Sequence, residues 1–252
     1  MMKYYEEFSD LEVFNLEEAS EIVGNKNNAK VLLNSYLKKG FVKRIRRNHY
    51  CFVGFNNNYS CNRYLIGSKI NSTSYLGYHS AIELHGLSHQ VSNVVYVLSD
   101  VYFKDFEFEG FYYKYSGKGI KNGISTYKMN KDIKYTDLER SIVDCIDRPI
   151  FCGGENEIDE ILKISPVLNE ESLMKYLQEY NKKILYQKVG FFMEKYQENL
   201  NISNLFLEKI EARIGKTNKY LNEEAKNGKG FLVKRWNLIV PYYLDKKGEL
   251  FV

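Results

Sequence analysis

The pattern of apolar and polar residues near the N-terminus predicts two successive helices. Residues 14–24 carry apolar side chains three and four positions apart, with Asn15 as the expected N-cap and Gly24 as the expected end. An earlier short helix around Phe8 would complete a three-helix core. The next helix is expected to begin within about four residues of Gly24, which is the short turn that a helix-turn-helix requires.

This second helix is predicted over residues 25–39 and is followed by a hairpin. Gly40 is expected to end the helix. Residues 41–45 and 50–53 are two short segments rich in apolar residues, joined by a basic turn at residues 46–48, which is the pattern of a hairpin. Two helices and a hairpin in this order predict a winged helix-turn-helix. The apolar residues of the second helix are all expected to face inward; they are Val31, Leu32, Leu33, Tyr36 and Leu37.

The charge distribution gives this segment a candidate function. Between Glu21 and Glu83 the sequence contains no Asp or Glu, although the whole chain has a net charge of only +4. Binding to a nucleic acid backbone requires such a local basic surface, because Lys and Arg displace the counterions of the phosphates. The alternative is a solvated helix face that happens to be basic. In that case the local charge, the helix-turn-helix spacing and the hairpin would occur together only by chance. The cations of this interval are Lys26, Lys30, Lys38, Lys39, Lys43, Arg44, Arg46, Arg47, Arg63 and Lys69.

The residues expected to contact double-stranded DNA lie at the start of the second helix and in the hairpin. Asn side chains suit the edge of adenine, and Lys can reach guanine or phosphate in the major groove. The arginines of the hairpin suit phosphates or a narrow minor groove. The predicted DNA-binding residues are Asn25, Lys26, Asn27, Asn28, Lys30, Lys43, Arg44, Arg46, Arg47, Asn48 and His49.

The overall pattern predicts an α+β protein: an N-terminal winged helix-turn-helix over residues 1–55, then a mixed α/β domain with a largely helical tail over residues 60–252. A polar connector at residues 54–60 is the expected boundary. A loop is expected at residues 215–230, and a final strand or hairpin at residues 231–240 is expected to return to the main sheet, with Trp236 as a packing anchor. Earlier strands are predicted near residues 75–76, 94–98, 103–116, 124–129 and 133–135, and helices near 61–70, 78–85, 155–164, 170–180, 185–196 and 205–214.

A charged helix is predicted from residue 136, where Thr136 and Glu139 have the spacing of a capping box. Arg140 lies four positions before Asp144, and Arg148 lies four positions after it. This spacing favours ordinary ion pairs on the helix surface over catalysis by the carboxylates.

The sequence offers no metal site, cofactor motif or membrane span. His85 and His89 are four residues apart, but Gly86 between them is expected to end a helix, which separates the two rings. No apolar run approaches the roughly 20 residues of a membrane span, and the acidic N-terminus does not resemble a secretory signal. A cytoplasmic protein without cofactor or enzymatic activity is therefore expected. The four cysteines have no CxxC spacing and are expected to be reduced thiols; they are Cys51, Cys61, Cys145 and Cys152.

Two rival classes remain open at this stage. A metal-dependent nuclease or nucleotidyltransferase acting on nucleic acid would require two or three carboxylates placed to hold Mg²⁺. The sequence contains neither a Gly-Ser pair followed by spaced aspartates nor an acid-acid-lysine strand. A protein–protein module built on the C-terminal helices is compatible with DNA binding and is the second alternative.

Three segments resemble the AbiEi antitoxins of bacterial and archaeal type IV toxin–antitoxin systems. They are KKGFVKRIRRNHYCF at residues 38–52, YHSAIELHGLSHQ at residues 78–90 and YTDLERSIVDCIDRP at residues 135–149, the last followed by a Gly-Gly pair. The resemblance implies a transcriptional repressor that binds operator repeats upstream of its own operon. It also implies a C-terminal domain that counters a nucleotidyltransferase-type toxin without forming a stable complex. A stand-alone regulator without a toxin is the alternative, and the family supplies no catalytic motif.

Overall fold

The structure is a computed structural model that describes residues 3–55 and 60–245, and its fold is mixed α+β as predicted. The centre of the predicted connector, residues 56–59, and the C-terminal residues 246–252 lie outside the described residues. The chain forms two compact units. The first comprises residues 1–76, 92–119 and 126–135, and the second comprises residues 77–91, 120–125 and 136–252.

The N-terminal part of the first unit contains three helices and a three-stranded antiparallel sheet. Strand β1 was not predicted, because it has only three residues and is held by pairing with β3, where Val13 faces Cys51. The strand order is β1-β3-β2. The elements are α1 (Tyr5–Leu11), β1 (Val13–Asn15), α2 (Leu16–Val23), α3 (Lys26–Lys38), β2 (Val42–Arg46) and β3 (His49–Phe52).

Short-range hydrogen bonds define the two helices that follow β1. Asn15 and Glu18 form a reciprocal capping box at the start of α2, and Gly24, with a φ of 79°, ends this helix. Asn25 caps α3, because its Oδ1 accepts the backbone N–H groups of Asn27 and Asn28 at 2.9 and 3.1 Å. Only Gly24 and Asn25 therefore separate α2 from α3.

One prediction for α3 is wrong. Val31 was expected to face inward, but 71% of its surface is exposed. Helix α3 buries Ala29, Leu33 and Tyr36 instead, with Leu32 partly buried. Residues in a helix follow one another at about 100°, so Val31 points away from both Ala29 and Leu33. Three consecutive apolar residues cannot all lie on one helix face.

The rest of the first unit is built around a six-stranded mixed sheet with the order β6-β7-β5-β4-β9-β8. The hairpin predicted within residues 103–116 is present, with its turn at Glu109 and Gly110. Helix α4 lies against β4 and β5, where a Cβ on Gly67 would come within 2.7 Å of Leu76. The elements are α4 (Arg63–Ser68), β4 (Tyr75–Leu76), β5 (Val94–Leu98), β6 (Phe106–Phe108), β7 (Phe111–Tyr115), β8 (Ile124–Tyr127) and β9 (Asn130–Thr136).

A disulfide in the first unit contradicts the prediction that all cysteines are reduced. Cys51 of β3 is bonded to Cys61, with the two Cα atoms 6.4 Å apart. Cys145 and Cys152 are free, as predicted, and both are buried. The pair could not be predicted, because a separation of 10 residues between two cysteines has no recognisable meaning in the sequence.

The second unit is mainly helical and ends in a small sheet of its own. The prediction that residues 231–240 return to the main sheet is wrong: strands β10, β12 and β11 form a separate three-stranded sheet in that order. The predicted loop at residues 215–230 contains β10 and α12. The elements are α5 (Tyr78–Leu84), α6 (Leu138–Asp147), α7 (Glu155–Ile164), α8 (Glu170–Tyr180), α9 (Lys183–Lys195), α10 (Gln197–Leu200), α11 (Asn204–Glu211), β10 (Lys219–Tyr220), α12 (Glu223–Lys226), β11 (Gly230–Val233) and β12 (Leu238–Pro241).

Trp236 is the packing anchor that the sequence predicted. It is fully buried, and its ring occupies the space beside Gly190 of α9, where an added Cβ would lie 2.3 Å from the ring. The indole N–H donates a hydrogen bond to Glu194 at 2.6 Å. Any side chain larger than hydrogen at position 190 would therefore displace the indole.

The prediction that the charges of α6 lie on the helix surface is wrong for Arg140 and Asp144. Arg140 and Asp144 are both buried, with Nε of Arg140 3.4 Å from Oδ2 of Asp144. Tyr180 of α8 donates its hydroxyl to the other carboxylate oxygen of Asp144. Burial raises the pKa of Asp144 to about 6, despite the opposing effect of Arg140. The spacing of the ion pair was predicted correctly, but its environment was not.

The start of α6 also differs from the prediction. Asp137, not Thr136, is the N-cap, and its side chain accepts the backbone N–H of Arg140 at 2.9 Å. The Thr136 hydroxyl instead lies 2.6 Å from that of Ser141. Both residue types are good N-caps, so the sequence alone placed the start one residue too early.

Candidate nucleic-acid interface

One side of α3 is exposed along its whole length and carries polar residues around Val31. We call it the outer face of α3. It lies opposite the side that packs on the core through Ala29, Leu33 and Tyr36. Asn34 belongs to it but was not among the predicted site residues, although it lies seven positions after Asn27 and hence on the same side. The outer face consists of Lys26, Asn27, Asn28, Lys30, Val31, Asn34 and Lys38.

The side chain of Asn25 has a different role from those of its neighbours Asn27 and Asn28. Its Oδ1 already accepts two backbone N–H groups as the helix cap. A bidentate contact to adenine requires both the oxygen and the nitrogen of the amide. Asn25 therefore positions the helix, whereas Asn27 and Asn28 present their amides outward.

Two of the predicted site cations are paired with carboxylates within the first unit. Nζ of Lys26 lies 3.3 Å from Glu17, and both side chains are exposed. Lys43 of β2 forms an ion pair with Glu109 in the turn between β6 and β7. Glu109 also accepts the backbone N–H of Cys61 at 3.2 Å. These pairs reduce the positive charge that Lys26 and Lys43 can offer to a phosphate.

Arg46 packs against aromatic rings and is half-buried. Its guanidinium carbon lies 5.3 Å from the ring centre of Phe106 and 5.9 Å from that of Phe103. Burial lowers the pKa of Arg46 from its ordinary value. The register shift between Arg44 and Arg46 gives these two residues different environments, because Arg44 remains exposed. Arg46 thus attaches the β2–β3 hairpin to the six-stranded sheet.

Arg63 and Lys69 are also engaged by neighbouring groups. Arg63 lies over the rings of Tyr64 and Phe111 and donates to the carbonyl of Ser92 at 2.6 Å. Lys69 lies 3.2 Å from a carboxylate oxygen of Asp132, and its second ion-pair partner is Glu18 of α2. Both cations hold parts of the first unit together.

The other five cations of the basic interval are exposed, and we call them the unpaired cations. Within residues 3–55 and 60–245, the structure gives them no carboxylate partner. Three belong to α3 and its C-terminal end, and two belong to the hairpin. Of the two hairpin arginines in this group, Arg44 has its guanidinium carbon 5.8 Å from the ring centre of Tyr50. The unpaired cations are Lys30, Lys38, Lys39, Arg44 and Arg47.

The tip of the hairpin is fixed against the start of α2. Asn48 adopts a φ of 61°, which Asn tolerates better than most residues, and its carbonyl accepts the backbone N–H of Leu16 at 3.0 Å. Nδ1 of His49 lies 3.2 Å from the carbonyl of Arg47. Arg47 and Asn48 therefore project at the tip, while His49 is half-buried.

Outside this surface, the features of the described residues to consider are metal-binding groups, paired histidines and membrane-spanning helices. The described residues contain no group of three or more His, Cys, Asp or Glu arranged to hold a metal ion. His85 lies 2.9 Å from the carbonyl of Thr136 through Nε2, whereas His89 is exposed. No helix among the described residues is long and apolar enough to cross a lipid bilayer.

Comparison with known proteins shows a related fold only. No model of a known protein family matches the chain, and no curated protein sequence is significantly similar to it. Among solved structures, the chain is similar to the crystal structure of the Rv2827c protein from Mycobacterium tuberculosis. The TM-score is 0.65 at 11% sequence identity, over 95% of this chain and 92% of the other. At this identity the likeness concerns the fold and not the function.

Proposed function

We propose that this protein is a sequence-specific DNA-binding transcriptional repressor whose first 55 residues form a winged helix-turn-helix. The observation that supports the proposal most strongly is the placement of the unpaired cations, Lys30, Lys38, Lys39, Arg44 and Arg47. They lie on α3 and on the hairpin, the two elements with which a winged helix contacts DNA. The short connection between α2 and α3, which contains Gly24, supports the same assignment.

In the proposed mechanism, α3 enters the major groove with its outer face. Asn27 and Asn28 near its N-terminal end contact base edges, and adenine is the base that an Asn amide pairs with through two hydrogen bonds. Lys30, together with Lys38 and Lys39, contacts phosphates. Phosphate contacts fix the position of the protein, and base contacts determine the sequence that it prefers.

The β2–β3 hairpin is the proposed wing. Arg44 and Arg47 contact phosphates or enter the adjacent minor groove, which attracts Arg most strongly where it is narrow and rich in A·T pairs. Arg46 supports the wing by packing on Phe103 and Phe106 and is not itself a principal DNA contact. In the same way, Lys43 is assigned mainly to its ion pair with Glu109.

The biological role follows from the resemblance to AbiEi antitoxins and is part of the proposal. The protein would act in the cytoplasm, bind repeats upstream of its own operon and repress it. The second unit would counter a nucleotidyltransferase-type toxin without a stable complex. A single winged helix covers a short stretch of DNA, so binding of two or more copies to adjacent repeats is expected.

The direct test is fluorescence anisotropy of the full-length protein on its own upstream DNA and on a scrambled duplex of equal length, over a series of salt concentrations. Specific recognition predicts binding to the native region about a thousandfold tighter or more. Equal and steeply salt-dependent binding to both duplexes would show only a basic surface and would contradict the proposed repressor.

The repressor and antitoxin roles can be separated with one variant. Replacement of Arg44 and Arg47 by Ala is expected to relieve repression of a reporter and to leave rescue of cells from the co-expressed toxin unchanged. Lys175→Ala removes an exposed cation of α8 and is the matched control for both assays. Loss of both activities in the double variant, with normal protein levels, would mean that antitoxin action requires DNA binding.

A further inference from the structure

Val31 stands out on the outer face of α3 because it is the one apolar residue on a side that is otherwise polar. Its exposed fraction of 71% is high for a residue in the middle of a helix that packs on a core. Single exposed apolar residues are common on protein surfaces, so exposure alone carries no inference. The polar residues that surround Val31 on the helix surface indicate what this side chain could contact.

Three carboxamide side chains surround Val31. Asn27 and Asn28 lie four and three positions before it, and Asn34 lies three positions after it, and side chains at these spacings are neighbours on a helix surface. All three are exposed. Helix α3 rises about 1.5 Å per residue, so Asn27 and Asn34 are about 10 Å apart along its axis. This distance matches about three base-pair steps of ~3.4 Å each.

The combination of amides and one aliphatic group matches the chemistry of an A·T pair in the major groove. Adenine presents N7 as an acceptor and its N6 amino group as a donor, which an Asn amide can bind together. Thymine presents O4 and the C5-methyl group, and the methyl group is recognised by apolar contact. Cytosine lacks this methyl group, so a contact from Val31 would discriminate T·A from C·G at one position.

The surrounding charge favours nucleic acid as the occupant of this face. Lys30 and Lys38 belong to the same face, and neither has a carboxylate partner among the described residues. A protein partner with an apolar surface would have to desolvate these ammonium groups, whereas DNA phosphates would bind them.

From this arrangement we infer that Val31 is a specificity-determining residue that reads a thymine methyl group, within an A·T-containing subsite of about three base pairs read by the outer face of α3. This inference rests on the proposed DNA-binding function. Beyond that function, the inference specifies that the bases read are A·T pairs. It also assigns to Val31 an apolar contact with a base, which is not a hydrogen bond.

Replacement of thymine by deoxyuridine tests the inference, because it removes only the C5-methyl group and keeps base pairing unchanged. The duplex is the protein's own upstream DNA, trimmed to the segment protected in a footprint, and each thymine in it is replaced in turn. At one or two positions the affinity of the wild-type protein is expected to fall about fourfold, the effect of losing one buried methyl group.

The variant Val31→Ala completes a double-mutant cycle with the modified DNA. Its affinity for the thymine duplex is expected to fall three- to tenfold, and it is expected to bind the deoxyuridine duplex no more weakly than the thymine duplex. Ala has a higher helix propensity than Val, so α3 is expected to remain folded, which circular dichroism verifies. Val91→Ala is the matched control, since Val91 is 78% exposed and lies outside α3.

The outcomes distinguish failure of this inference from failure of the proposed function. If the wild-type protein binds its upstream DNA specifically but is insensitive to deoxyuridine at every position, the role of Val31 is wrong and the repressor proposal stands. If a methyl-dependent position exists but Val31→Ala remains equally sensitive to it, another residue reads the methyl group and the inference is overturned. Absence of specific binding by the wild-type protein overturns both.

Discussion

The two most conspicuous charged segments of this chain have opposite structural environments. In and after α3, Lys30, Lys38 and Lys39 are exposed and have no carboxylate partner among the described residues. In α6, Arg140 and Asp144 are buried against each other and against Tyr180 of α8. Both segments mix charged and apolar residues, and the sequence predicted that the charges of both would lie on the protein surface.

The role of a charged side chain in these two helices depends on what packs against its side of the helix. Among the described residues of its own unit, nothing packs on the outer face of α3, so Lys30 and Lys38 remain exposed to solvent and able to bind an external anion. The Arg140–Asp144 pair lies under α8, where removing two charges from water is costly and their mutual attraction only partly offsets the cost. The first segment is therefore a candidate binding surface, and the second is a structural element.

The largest expected effect is on the buried pair. Asp144→Ala leaves the guanidinium of Arg140 buried without its carboxylate and is expected to lower the free energy of unfolding by about 3–5 kcal/mol. Urea denaturation followed by circular dichroism measures this. Asp100→Ala is the matched control, because it removes a carboxylate from an exposed pair with Lys118, for which about 0–1 kcal/mol is expected. If both variants changed the free energy of unfolding by the same amount, the proposed difference between buried and exposed charge pairs would be wrong.

Burial of Asp144 is also expected to make the stability of the protein depend on pH. The pKa of Asp144 is raised to about 6 in the folded protein, against about 3.9 in the unfolded chain. Between about pH 3.9 and about pH 6, the carboxyl of Asp144 is protonated in the folded protein and ionised in the unfolded chain. Its contribution to the free energy of unfolding is therefore fully present below about pH 4 and is lost as the pH rises to about 6. The magnitude is of the order of 3 kcal/mol.

This contribution can be isolated by difference. The free energy of unfolding of the wild-type protein minus that of Asp144→Asn is expected to fall between pH 4 and pH 6 and then to level off. A difference that rises with pH over this range would mean that Arg140 outweighs burial and holds the pKa of Asp144 below its ordinary value.

The disulfide distinguishes the N-terminal basic region from the helical unit, where both cysteines are free. The Cys51–Cys61 bond links residues separated by 10 positions, and closing a loop of this length contributes about 2–3 kcal/mol in the chain-entropy description. The double variant with Ser at both positions is expected to lose this stability under oxidising conditions. Under an excess of dithiothreitol the double variant and the wild-type protein are expected to be equally stable within about 1 kcal/mol.

The smallest expected effect concerns the acidic residue beside the proposed DNA-binding surface. Glu17 pairs with Lys26, and the backbone, Lys26 and His49 together lower its pKa, so it is ionised at neutral pH. Glu17→Gln releases Lys26 and removes a negative charge near the DNA, which is expected to increase affinity by about two- to fivefold at low salt. Glu208→Gln, on α11 of the helical unit, is the control. Unchanged or weaker binding of Glu17→Gln would place α2 away from the DNA.

The regular helices were predictable because their apolar periodicity and end signals agree. Helices α7 and α8 span the predicted residues 155–164 and 170–180. Strand β1 and the separate sheet at the C-terminal end were not predictable, since each depends on pairing between distant segments. The start of α6 was misplaced because Thr136 and Asp137 are both suitable caps.

The candidate site was predictable in its location but not in its details. The absence of acidic residues marked the segment that contains the unpaired cations, but the sequence could not separate Lys43 from Lys30. The partner of Lys43, Glu109, lies 66 positions away, and Arg46 is half-buried because it packs against Phe103 and Phe106, which are also distant in the sequence. Val31 was assigned to the core because it stands beside Leu32 and Leu33, although the 100° step of the helix turns it outward.

The most direct test of the account is the salt dependence of DNA binding by the variant with Ala at both Arg44 and Arg47. Each phosphate contact contributes about 0.9 to the slope of log affinity against log salt concentration. If both arginines contact phosphates, the slope becomes shallower by about 2, affinity falls about tenfold, and thermal stability is unchanged. If slope and affinity match those of the wild-type protein, the hairpin is not a wing on DNA and the proposed function is contradicted.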